Sequence, residues 1–221
     1  MEEKAADGMK AGGSGEEPRF CMSKDKINNL PINAFPGRIS VLSSFSSAGE
    51  IESAMRILGN SRMLGFDTES RPSFRKGDKN PIALIQLSTD DRAFLFRIHG
   101  RCVPGGLKRI LENQGILKIG QGLKHELRTL HKELGVAGKG FIDLLDIAHK
   151  LDCSPKSVRG LSAIFLGFRI TKSAQMSNWE RGSLTEKQKL YAATDAWACL
   201  KVYEELRRRN IMGSLGKNRH M

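Results

Sequence analysis

The sequence predicts an α/β fold, a mixed β-sheet flanked by helices. Two features of the hydrophobic patterning predict it. Apolar stretches at 63–67, 82–88 and 93–97 follow one another without a helical period, as in a meander of strands. After them, strand-like and helix-like segments alternate to the end of the chain. In order, residues 38–42 read as a first strand, and Ser46 or Ser47 is placed to cap a helix carrying Ile51, Met55, Ile57 and Leu58. The three meander strands come next, with a Pro/Lys/Gly-rich loop at 71–80 and a tight turn at Asp90-Asp91. A helix is expected over 106–113 and a short buried strand over 116–119. Leucines at 123, 127, 130 and 134 give helical 4-3-4 spacing. Residues 141–151 read as a helix with a short strand at its start, and 157–166 as a helix stopped by Gly167. The last helix runs to about Arg209, with Ser183 and Glu186 in capping-box spacing and Leu190, Ala193, Trp197 and Leu200 as its core stripe.

The 221 residues suffice for one compact domain. The expected organisation is a disordered N-terminal tail over 1–36, a folded domain over 37–210 and a C-terminal tail over 211–221. Apolar runs stay far below the ~20 residues that span a bilayer, and the first twenty residues lack an apolar signal region. The expectation is an intracellular protein that is neither secreted nor membrane-bound, with nucleus and cytoplasm both open. Cys21, Cys102, Cys153 and Cys199 form no CxxC pair, which points to reduced thiols. Lys and Arg exceed Asp and Glu by 36 to 24, a net +12. The first twenty residues carry −2, so the remainder carries +14. A basic folded body suits a polyanion, nucleic acid above all.

Three acidic clusters fall at the ends of elements. Asp67-Thr68-Glu69 closes an apolar strand, and alternation points Asp67 and Glu69 to one face. Converging carboxylates repel unless a cation lies between them. Glu126, preceded by His125, lies in the first helical turn after the Gly120-Gln121-Gly122 turn, where an acid also complements the helix dipole. Tyr191 and Asp195, four apart on the last helix, share a face, and Ala192 and Ala193 permit close approach to a neighbour. Each cluster alone is a weak signal.

In combination and in this order they resemble the DEDD 3′–5′ exonuclease superfamily, tyrosine subgroup. Within it the sequence is similar to the Werner-syndrome-helicase type of exonuclease domain. The resemblance rests on Leu64-Gly65-Phe66-Asp67-Thr68-Glu69, on Leu84-Ile85-Gln86-Leu87-Ser88, on Ser177-Asn178-Trp179-Glu180, and on the run from Leu184 to Trp197. It covers about residues 37–209. It implies an RNase H-like (DnaQ-like) sheet and hydrolysis of phosphodiester bonds from a 3′ end, releasing nucleoside 5′-monophosphates. It also implies two divalent cations, Mg²⁺ or Mn²⁺, held by Asp67, Glu69, Glu126 and Asp195, with Tyr191 orienting the attacking water. The family has aspartate where this chain has Glu126. That departure keeps open a second reading, an impaired nuclease fold serving as a nucleic-acid-binding scaffold. An RNase D-like RNA trimmer is a third.

Substrate contacts are expected from Arg71, Phe74, Arg75, Lys76 and Lys79 in the loop after the acidic strand, with Phe74 placed to stack on a base, and from His125. Nucleic acid, DNA or RNA, is the expected partner. No helicase segment is visible, so a helicase or other processing protein would act in trans.

Overall fold

The computed structural model describes residues 19–72, 80–99 and 103–211. The elements are β1 (Phe20–Cys21), α1 (Lys24–Asn29), β2 (Arg38–Leu42), α2 (Ala48–Gly59), β3 (Met63–Ser70), β4 (Ile82–Ser88) and β5 (Arg92–Arg97), then α3 (Leu107–Glu112), β6 (Leu117–Gly120), α4 (Leu123–Leu134), β7 (Phe141–Asp143), α5 (Leu144–Lys150), β8 (Cys153–Ser154), α6 (Val158–Leu166) and α7 (Glu186–Arg208). Six strands form one mixed sheet in the order β2-β5-β4-β3-β6-β7. Strands β3, β4 and β5 are the antiparallel meander, while β2 runs parallel to β5, β6 to β3, and β7 to β6. This is the mixed sheet with flanking helices that the sequence predicts.

Alternation along the meander sorts its side chains between two cores. Leu64, Phe66, Ile85, Leu87, Phe94 and Phe96 pack with Leu58 of α2, Leu107 and Leu111 of α3, and Leu123 and Leu130 of α4. Leu84 and Leu95 point the other way, against Tyr191 and Ala192 of α7. Further along α7, Cys199, Leu200, Val202 and Leu206 pack with Ile119 of β6, Leu144 of α5 and Leu161 of α6. Helix α7 therefore crosses the sheet across several strands, which requires a small-residue contact. Gly65 supplies it, because a Cβ there would overlap the Ala196 carbonyl. Ala192, Ala193 and Ala196 are fully buried along the same contact.

The structure corrects three expectations. First, residues 20–36 belong to the folded body. Strand β1 pairs with β8, Met22 N–H donates to Ser154 O (2.9 Å), and Phe35 N–H donates to the Thr194 hydroxyl (3.0 Å). Phe20, Ile27 and Phe35 are the anchors, packed on Phe165, in the core, and beside Trp197 respectively. Three apolar residues spaced seven and eight apart show no period, so nothing marked them as ordered. Second, the cap of α7 is Thr185, not Ser183: its hydroxyl accepts from Gln188 N–H while the Gln188 side chain accepts from Thr185 N–H. Leu184 is buried ahead of the helix and Thr185 is extended, so the helix starts two residues later. Third, Leu190 is 42% exposed and lies outside the core stripe, whereas Ala193, Trp197 and Leu200 are buried. Among the described residues, no helix is long and apolar enough to cross a membrane.

Candidate active site

The end of β3 and the middle of α7 meet where Gly65 lets the helix approach the sheet. Asp67 lies directly opposite Gln86 on β4, and Glu69 opposite Leu84. Since Leu84 faces α7, Asp67 and Glu69 do as well. One carboxylate oxygen from each of Asp67, Glu69 and Asp195 falls within 4.8 Å of the others. That spacing suits a hard cation, which takes oxygen ligands.

Electrostatics gives the same picture. Burial pushes the Asp67 carboxyl well above its ordinary range, and the Asp195 charge adds to the effect. Glu69 is pushed up to about 10, by burial first and then by Asp67 and Asp195. Asp195 rises to about 7 through burial, moderated by a hydrogen bond with Tyr191 and by Lys172. The Asp195 Oδ1 atom is buried without a partner. Carboxylates so placed retain protons near neutrality unless positive charge replaces them. The donor set and its unpartnered buried oxygen fit a divalent cation.

Tyr191 lies one helical turn before Asp195 and is itself buried; burial and then the Asp195 charge raise its hydroxyl above the ordinary tyrosine range. Its ring packs 6.0 Å from the ring of Trp179, which is fully buried. The segment carrying Trp179 is tied to α7 by Gln188, whose amide donates to Asn178 O (3.2 Å). The Ser177–Glu180 segment thus fixes the tyrosine.

Glu126 lies outside the three-acid group, in the first turn of α4. It is half-buried, its Oε2 lacks a partner, and its charge raises the Asp67 pKa, so it lies within electrostatic reach. Burial raises its own pKa, against a lowering contribution from His125. Sequence reasoning missed what positions it. Asp143, the cap of α5, accepts from the N–H groups of Gly122 (2.8 Å), Leu123 (2.7 Å) and Leu145 (2.8 Å). One carboxylate thereby fixes the turn that carries Glu126. Its local signal was an aspartate between a strand and a helix, the position of an N-cap. Gln121 was also missed; it lines a cleft of about 160 Å³ with Lys172, Tyr191 and Asp195. No spacing links it to the acidic motifs.

Among the expected substrate contacts, Phe74, Arg75, Lys76 and Lys79 lie outside the described residues. Arg71 pairs with Glu180 (3.6 Å) at an exposed position, linking the exit of β3 to the tryptophan segment. His125 is exposed, with the Thr129 hydroxyl 3.5 Å from its Nδ1.

Sheet order and acid cluster together give an α/β fold with a carboxylate group spaced to hold a cation. The chain belongs to the 3′–5′ exonuclease family, whose profile matches residues 43–210. It is 38% identical over 199 residues to the mouse bifunctional 3′–5′ exonuclease/ATP-dependent helicase WRN, covering 86% of this chain and 14% of that protein. The fold is similar to that of the Aedes aegypti Nibbler EXO domain (TM-score 0.68, 20% identity, 83% of this chain and 99% of that one). It is also similar to Trypanosoma brucei RNase D in complex with RNA U12 (TM-score 0.65, 18% identity, 82% and 64%).

Proposed function

We propose that the protein removes nucleotides one at a time from the 3′ end of a nucleic acid strand. Three half-buried carboxylates within 4.8 Å of one another, held above their ordinary pKa values, carry the proposal. Divalent cations, Mg²⁺ or Mn²⁺, held by Asp67, Glu69 and Asp195, with Glu126 serving a second ion, would supply Lewis acidity and lower the pKa of the attacking water. The water oxygen bonds to phosphorus as the P–O3′ bond breaks. The proton passes to the departing 3′ oxygen, and a nucleoside 5′-monophosphate is released.

The protein's own groups position these reactants. Tyr191 remains protonated, since burial and its acidic neighbours oppose ionisation. It orients the water by hydrogen bonding and does not act as a free base. Lys172, beside Asp195, offers a cation to a phosphate entering the cleft. Arg75, Lys76 and Lys79 follow the acidic strand in sequence and are proposed to hold phosphates further along the strand, with Phe74 stacking on a base and Arg71 and His125 at the margin.

The test is product analysis on single-stranded DNA and RNA oligonucleotides with Mg²⁺ or Mn²⁺. Nucleoside 5′-monophosphates should appear from the first turnovers and disappear with EDTA. Tight binding with no monophosphate release would instead indicate a nucleic-acid-binding scaffold.

A further inference from the structure

Residues 19–36 precede the segment matched by the exonuclease family, yet they are packed against it. Their outer face forms one wall of a groove of about 560 Å³, opposite Pro155 and Gly160. That groove shares Ser157, Arg159 and Lys172 with the small cleft holding Tyr191 and Asp195. The two cavities are therefore neighbouring parts of one path. We propose that this groove is a second nucleic-acid subsite, which holds the single strand upstream of the 3′ end being cut. The inference rests on the exonuclease reading of the acid cluster.

Chemistry and continuity both favour a single strand as occupant. Lys24, Arg159 and Lys172 line the groove and no carboxylate does, so its charge complements phosphates. Met22, Ile27 and Pro155 form an apolar wall suited to the face of a base, as single-strand grooves combine cations with apolar platforms. The volume is that of a small-molecule site, so it takes a nucleotide-sized unit and not merely one phosphate. Arg159 is tethered by Ile170 O (3.0 Å) and Asn28 Oδ1 (2.7 Å), which fixes the guanidinium at the junction of the cavities. Among the described residues Lys24 has no ion-pair partner and is exposed, which leaves it available to a phosphate.

Lys24 also permits a clean test, because it opens α1 immediately after the Ser23 cap. An acid is favoured at a helix start, so Lys24→Glu reverses the charge without unfolding the helix. Steady-state cleavage of a dinucleotide and of a single-stranded decamer is measured for the parent, Lys24→Glu and Met22→Ser. Lys24→Glu should raise the decamer KM by about tenfold at low salt and reduce the salt slope by about one phosphate contact. Met22→Ser should raise the decamer KM at all salt concentrations. Dinucleotide kcat/KM should change far less in both, since a dinucleotide places only one nucleotide upstream of the cut. Equal shifts for both substrates, or none for the decamer, would overturn the subsite. If the parent cleaves neither, the exonuclease reading fails on its own, and decamer affinity by fluorescence anisotropy decides the groove. Affinity unchanged by Lys24→Glu would then refute it.

Discussion

Asp67, Glu69 and Asp195 share a space too small for three unscreened negative charges, and the side chains around them make sense on that footing. Tyr191 reaches the cluster with its ring held against Trp179, so Tyr191→Phe should leave the fold intact. The variant should lose about 10²-fold in kcat with little change in KM, as expected when a transition-state hydrogen bond is lost. A steady-state comparison on one oligonucleotide checks the split. Glu126 makes a different prediction. Its extra methylene displaces the carboxylate by about 1.5 Å relative to aspartate, and Mg²⁺ tolerates imperfect octahedral geometry poorly. Mn²⁺ should therefore support faster hydrolysis than Mg²⁺, and Glu126→Asp should narrow the gap in single-turnover assays. Equal parental rates with the two ions would remove Glu126 from the metal site. Asp67, Glu69, Tyr191 and Asp195 were legible in the sequence because strand alternation and the four-residue helical step predict facing directly. Asp143 and Gln121 were not, because their roles arise from tertiary neighbours that no local period encodes.

Among the elements, α7 and β3 set the site, and their contact depends on the absence of one side chain. Gly65→Ala would drive a methyl into the Ala196 carbonyl, so the helix must move away from the strand. The expected cost is about 1–3 kcal/mol, typical of overpacking, accompanied by a loss of activity larger than the stability change explains. Urea unfolding combined with a cleavage assay measures both. The helix start offers a second check. Thr185→Ala should cost about 1 kcal/mol, the value of a lost N-cap, whereas Ser183→Ala should cost almost nothing. Helix α4 matched its leucine pattern because it buries one regular face, and β4 its apolar run because it is buried on both faces. The start of α7 and the β1–α1 segment were misjudged for a shared reason. Single anchors, Leu184 in one and Phe20, Ile27 and Phe35 in the other, decide them, and a lone anchor leaves no pattern.

For the whole molecule, the acid cluster couples stability to pH and to metal. Asp67, Glu69 and Asp195 all have pKa values raised by folding, so between the unfolded and folded values the native state binds more protons. Metal-free protein should lose stability as pH rises from about 4.5, through about 7 for Asp195 and on towards about 10 for Glu69. Asp195→Asn should flatten the part of that slope below about pH 7. Divalent cation should restore the lost stability, by about 2.7 kcal/mol at a hundredfold excess over Kd, and more strongly at pH 8 than at pH 6. Thermal melts across pH with EDTA or Mn²⁺ measure each of these effects. Whether this cluster cuts from the 3′ end with bound metal is decided by a time course on a 5′-labelled single strand, comparing the parent, the parent with EDTA, and Asp67→Asn. The parent should give a ladder of labelled products shortening one nucleotide at a time, with less than about one per cent of that rate in the other two, the scale of lost electrostatic stabilisation. Immediate release of a short labelled fragment, or laddering that survives EDTA or Asp67→Asn, would contradict metal-bound cutting from the 3′ end.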